Sequence, residues 1–138
     1  MSTLKLPFKL GTDYEYLEFS LEISPDRVLN YDSYKYVGKD VKFFLNNPTL
    51  KTELVYNLDT LEAVILTFKK STASFKKMND ELTKRFSKPT VELRNNTELH
   101  HYSLESIYVC SSKSSNELQI VYSSNYSLYT SILSTLIC

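Results

Sequence analysis

The sequence predicts an α+β fold: a twisted antiparallel sheet of short strands, one main helix packed on it at about residues 72–87, and a second helix at the C-terminus. Three observations carry this prediction. Residues 53–57 (ELVYN) and 61–68 (LEAVILTF) are rich in β-branched, aromatic and aliphatic side chains, and Asn57-Leu-Asp-Thr60 between them supplies turn chemistry. Phe75, Met78, Leu82 and Phe86 then recur at i, i+3, i+7 and i+11, forming one apolar stripe on a helix that must stop at Pro89. Short alternating segments on either side of this unit read as strands with one buried and one wet face.

Taken in order, Leu4, Leu6, Phe8 and Leu10 fall on one side of an extended segment. Leu17, Phe19, Leu21 and Ile23 do the same beyond Gly11-Thr-Asp13, which predicts a first hairpin. Ser24-Pro25-Asp26 offers a cap, a first-turn proline and an early acid, so it starts either a helical turn reaching about Asn30 or a plain turn. Tyr34-Lys-Tyr36 and residues 41–45 flank Gly38-Lys-Asp40 as a second hairpin, and Asn46-Asn-Pro48 reads as a break. In the central strand, Val64, Leu66 and Phe68 share one face and Leu61, Ala63 and Ile65 the other. Both faces are therefore covered, which places this strand mid-sheet.

Ser71 or Thr72 caps the main helix, whose last turns carry Lys84, Arg85 and Lys88 at the negative end of the helix dipole. Asp80 with Lys84 and Glu81 with Arg85 are stabilising i, i+4 pairs. Residues 90–94, 99–103, 106–110 and 117–122 follow as a meander. Tyr126, Tyr129, Leu133, Leu136 and Ile137 are spaced for one face of a final helix capped from Ser124 or Asn125.

A chain of 138 residues with 42% hydrophobic content fits a single α+β domain spanning residues 1–138. Sixteen basic and sixteen acidic residues balance, which removes the global electrostatic drive toward nucleic acid or an anionic membrane surface. Lys35 and Lys39 near Tyr34 and Tyr36 are offset by Asp32 and Asp40, so an aromatic platform for single strands is not favoured either. No run approaches the roughly 18–20 apolar residues of a membrane helix, and the N-terminus does not read as a signal peptide. The expected location is cytoplasmic, with Cys110 and Cys138 as free thiols, the alternative being a single bridge that ties the C-terminus to a strand.

The chain has no phosphate loop, dinucleotide fingerprint, calcium-binding loop, zinc-protease helix or serine elbow. His100 and His101 are adjacent in a strand and point to opposite faces, so they do not share a metal. Either one could join Glu98 or Cys110 after folding, but a structural role is the expectation for both. Asp13, Glu15, Glu18 and Glu22 read as the solvated side of an edge hairpin. No catalytic residue, metal or cofactor is expected. Tyrosine is the unusual component: eleven occur, against seven phenylalanines and no tryptophan. Tyr14, Tyr16, Tyr31, Tyr34 and Tyr36 crowd one region and are the candidate binding residues, since tyrosine couples a large ring to a polar tip. The plain alternative is that they cover the rim of a β-rich core.

From Glu53 to Tyr122 the order is hairpin, amphipathic helix, helix-ending proline and closing strands that finish in Leu118-Gln-Ile-Val-Tyr122. This order resembles small uncharacterised bacterial domains of the β-lactamase-inhibitor-like and toxin-immunity type. Ser87-Lys88 stand before Pro89 where that family usually has glycine. The resemblance implies a non-enzymatic protein binder with a protein partner and transfers no catalytic residue. The alternative is a small-ligand-binding or hydrolytic domain with a pocket between sheet and helix, using Tyr34, Tyr36, His101 or Glu18. A homodimer through a sheet edge or the C-terminal apolar face is a further expectation.

Overall fold

Strands 53–57 and 61–68 do form the centre, and the rest of the sheet grows outward from them. The computed structural model describes residues 6–41, 43–45, 47–69, 74–114 and 117–136. Two short 3₁₀ turns (Tyr14–Tyr16 and Glu18–Ser20) precede β1 (Leu21–Ser24), β2 (Asp32–Tyr36), β3 (Phe43–Phe44), β4 (Asn47–Asn57) and β5 (Thr60–Lys69). Helix α1 (Phe75–Phe86) leads to β6 (Thr90–Arg94), β7 (Thr97–Leu104), β8 (Ile107–Lys113) and β9 (Glu117–Ser123), and α2 (Tyr126–Leu136) follows. All nine strands join one open antiparallel sheet in the order β1-β2-β4-β5-β9-β8-β7-β6, with β3 paired to the start of β4. The fold is α+β, as the sequence predicts.

Alternation along β5 divides the core in two. Val64, Leu66 and Phe68 face Met78, Leu82 and Phe86 of α1, together with Tyr102, Leu118, Ile120 and Tyr122. Ala63 and Ile65 face Leu128, Tyr129, Ile132 and Leu133 of α2, together with Val55, Leu99, Cys110 and Val121. One helix therefore covers each face: α1 lies over β7 and β8, and α2 over β9 and β5. Ser74 caps α1 by accepting from the Lys77 amide at 3.3 Å, and Asn125 caps α2 by accepting from the Leu128 amide at 3.1 Å. Buried Asn79 pins α1 to the sheet by accepting from the Tyr102 hydroxyl at 2.9 Å and from the Ser111 hydroxyl.

The N-terminal half departs from the expected hairpins. The described part of the first segment, residues 6–10, makes no strand. The Gly11 amide donates to Leu61, and Leu61 donates back to Thr12, so this stretch caps the β4–β5 turn. Phe19 lies in a 3₁₀ turn, and β1 pairs with β2. After Ser24 the chain makes a plain turn that closes from the Tyr31 amide to the Val28 carbonyl. Strand β2 skips β3 and pairs with β4, and Pro48 lies inside β4, at its β3-paired outer end. Leu61 packs with Val64 and Tyr56, because the register shift between Val55↔Ala63 and Tyr56↔Leu61 passes over Glu62 and turns Leu61 to the α1 face. The expected caps Ser71 and Thr72 lie outside the described residues. On α2, Leu128 and Ile132 join Tyr129 and Leu133 in the core, while Tyr126 is exposed. Ile137 lies outside the described residues.

Candidate functional site

Because α2 lies over β5 and β9, the β6–β8 end of its face stays open. The gap is a cleft of about 450 Å³ between the side of α2 and the three outer strands. Strand alternation fixes its floor and wall. Thr90, Glu92 and Arg94 point to this face from β6, His101 and Ser103 from β7, and Tyr108 from β8, while Tyr126, Tyr129, Thr130 and Leu133 come from α2.

A chain of polar contacts crosses the cleft. Arg94 donates to Glu92 Oε2 from Nε at 3.0 Å and from Nη2 at 2.7 Å. Glu92 Oε1 lies 2.9 Å from His101 Nε2, and His101 Nδ1 lies 2.8 Å from the Tyr129 hydroxyl. An ionised carboxylate only accepts, so Nε2 carries a proton, and in the neutral ring Nδ1 accepts from Tyr129. Glu92 is held below the usual carboxylate range, first by the Arg94 hydrogen bonds and then by His101. Burial pushes the Tyr129 hydroxyl well above its ordinary range, so it stays protonated and donates. Cys110 lies under this chain, fully buried, with its thiol pushed up to about 12 by desolvation. Such a thiol is inert at neutral pH.

The aromatic wall is built from Tyr108, Tyr126 and Tyr129, whose ring centroids are 5.0 to 6.1 Å apart. Tyr126 and Tyr129 fall one helical turn apart on α2. Tyr129 faces the core and Tyr126 stands at the rim, 60% exposed. At the other end of the same sheet face, Arg27 holds buried Glu53 in a bidentate pair of 2.7 and 2.8 Å and donates to Thr135 of α2 at 3.0 Å. This pair fixes the C-terminal end of α2. The Arg27 guanidinium is already engaged by Glu53, so the charged lining of the groove beside it comes from Lys35, Lys51 and Glu117, with Gln119 donating to Thr67 at 3.3 Å.

The five early tyrosines do not share one place. Tyr14 and Tyr34 meet, and both pack on buried Tyr56 at centroid distances of 5.2 to 5.6 Å on the α1 face. Tyr36 packs edge-on against Phe8 at 4.9 Å, and its ring fills the space where a Cβ at Gly38 would sit. Tyr31 is on the α2 face and accepts from Asn125 at 3.3 Å, and Tyr16 projects into solvent. Of the histidines, His100 meets Glu98 at 2.6 Å on the α1 face, edge-on to Phe75. His101 stands on the opposite face, across from Cys110 in register. Glu18 is half-buried in the second 3₁₀ turn, ahead of β1, whereas His101 is on β7, near the other end of the strand order. Among the described residues no group of three or more His, Cys, Asp or Glu side chains could hold a metal ion. Also among them, no helix is long and apolar enough to cross a membrane.

Sequence reasoning did not select Glu92, Arg94, Tyr108, Tyr126 or Tyr129 as site residues. The available signal was the alternation in 90–94, which puts Thr90, Glu92 and Arg94 on one side of a strand whose other side is Val91 and Leu93. No family model matches the sequence, and no curated protein matches it. The chain is similar in fold to the crystal structure of a GTP binding regulator from Thermotoga maritima, with a TM-score of 0.50 and 14% identity over 90% of this chain and 84% of that one. This likeness shows a shared fold.

Proposed function

We propose that the chain is a non-enzymatic protein-binding module, of immunity or inhibitor type, whose recognition site is the cleft between α2 and β6–β8. The observation that carries this reading is an exposed Tyr126, backed by Tyr108 and Tyr129, sharing one open cleft with Arg94. Tyrosine and arginine are enriched at the energetic centres of protein interfaces, and a ring already braced by two others loses little freedom on contact. The chain of polar contacts supports binding over catalysis. Both ring nitrogens of His101 are engaged within the protein, and the Cys110 thiol is buried beneath, so neither is presented to the cleft as base or nucleophile. The immunity or inhibitor character rests on the resemblance of residues 53–122 alone.

The test is capture from a lysate of the source cells. The wild-type chain should retain one partner at stoichiometric level through gel filtration, and Tyr126→Ala should lose it while melting at the wild-type temperature. Retention of the partner by Tyr126→Ala would move recognition elsewhere. A second reading is favoured by the cleft's size: about 450 Å³ lies in the small-ligand range of roughly 300–1,000 Å³. A small molecule seen by native mass spectrometry on protein purified from its own cells, and absent from Tyr126→Ala, would select that reading.

A further inference from the structure

Among the described residues the strand order ends at β1 and at β6, and these end strands differ in sequence in a way that bears on self-association. β1 presents Leu21-Glu-Ile-Ser24, with Glu22 as its only charge. β6 presents Thr90-Val-Glu-Leu-Arg94, in which Val91 and Leu93 are 57% and 74% exposed on the α1 face while Glu92 and Arg94 lie on the α2 face. An edge strand with exposed apolar side chains is a template for another strand.

The turn after β6 decides which backbone groups face outward. Asn95 and Asn96 form a two-residue loop with φ of 49° and 65°, both left-handed, which is the type I′ hairpin turn. Its closing pair, Arg94 and Thr97, exchanges hydrogen bonds. Alternation then directs the amides and carbonyls of Glu92 and Thr90 into β7 and those of Leu93 and Val91 toward the open edge.

We infer that the chain forms an isologous homodimer in which the β6 strands of two copies pair antiparallel about a two-fold axis through Leu93. In this register Leu93 of each copy lies opposite Leu93 of the other as a hydrogen-bonded pair, with Cα atoms about 5.5 Å apart. Glu92 of each copy lies opposite Arg94 of the other, in the non-hydrogen-bonded positions where side chains approach most closely. One symmetry operation thus makes two Glu92–Arg94 contacts between the copies, beside the pair that each chain already holds within itself. Centring the axis on Glu92 instead sets two carboxylates against each other, and centring it on Val91 pairs Glu92 with Thr90 and leaves Arg94 beyond the contact. At β1 the corresponding registers oppose Glu22 to Glu22, Ser20 or Ser24, with no opposite charge in any of them. The β6 pairing joins two sheets into one, with both clefts on the same face and the Glu92–Arg94 pairs between them.

Sedimentation of the full chain over a micromolar concentration series should show the mass of two chains at the upper end. Arg94→Glu sets like charges opposite each other at both ends of the contact and should weaken the dimer tenfold or more. Glu92→Arg combined with Arg94→Glu should recover it with the signs exchanged. Leu93→Cys, in a chain carrying Cys138→Ser, should be joined into a covalent dimer by a short bifunctional thiol reagent, since the two side chains stand directly opposite each other. Ile23→Cys on the other edge should not. A monomer at every concentration, or no preference for position 93 over position 23 in cross-linking, overturns the inference.

Discussion

Two tyrosine trios sit on this sheet, and they are put to opposite uses. At the β2–β4 end, Tyr14, Tyr34 and Tyr56 pack ring on ring. The Tyr56 hydroxyl is buried without a hydrogen-bond partner among the described residues, its pKa pushed up to about 12 by desolvation. At the β6–β8 end, Tyr108, Tyr126 and Tyr129 pack at similar distances, but the Tyr129 hydroxyl bonds His101, and the chain continues through Glu92 to Arg94. The first trio is filling; the second frames a cleft. Aromatic density alone does not locate a site, whereas aromatic groups organised by charged and hydrogen-bonding neighbours do.

Most drastically, Leu82→Asp puts a carboxylate into the fully buried contact between α1 and the sheet, among apolar side chains. It should abolish cooperative unfolding altogether, as read by circular dichroism, and wild-type stability would refute the packing of α1. Next, Arg27→Met leaves the Glu53 carboxylate buried and unpaired and should cost about 3–5 kcal/mol in urea denaturation. Adding Glu53→Met should recover most of that loss, since two apolar groups then replace the pair.

The trios themselves separate under one chemical change. Tyr129→Phe removes the donor to His101 Nδ1 and should cost about 1–2 kcal/mol. Tyr56→Phe removes a hydroxyl that has no partner among the described residues and should be neutral or slightly stabilising. Equal losses at the two sites would erase the distinction drawn between them. The smallest expected effect is electrostatic. Glu92 has a lowered pKa in the folded chain, so its contribution is fully present above the unfolded value of 4.5 and is lost as pH falls through the folded value. A Glu92→Gln chain should therefore show a shallower stability loss below pH 4.5 than wild type, while the two slopes coincide near neutrality.

How much of this was legible depended on whether pairing was local. The meander β6 to β9 follows chain order, each strand paired with the next, so alternation and turn residues sufficed to place it. The α1 stripe was equally plain, because Phe75, Met78, Leu82 and Phe86 have one period and one possible surface. The N-terminal half was not legible. Strand β2 pairs with β4 across β3, Gly11, Thr12 and Tyr14 bond the far β4–β5 turn, and Phe8 bonds the Tyr122 hydroxyl of β9. No short-range pattern encodes either choice. The Leu61 face failed for a related reason: one register shift inverts a residue that simple alternation assigns to the other side. The cleft was hidden because its parts come from β6, β7, β8 and α2, and no two of them form a motif in sequence.

Two exposed tyrosines give the most direct test of where recognition lies: Tyr126 at the rim of the cleft, 60% exposed, and Tyr16 at the opposite end of the molecule, 80% exposed. Quantitative capture from source-cell lysate should be compared for wild type, Tyr126→Ala and Tyr16→Ala, all folded to the same melting temperature. The cleft account predicts loss of the stoichiometric partner with Tyr126→Ala and full retention with Tyr16→Ala; the reverse pattern would place recognition in the tyrosine-rich N-terminal region and contradict it.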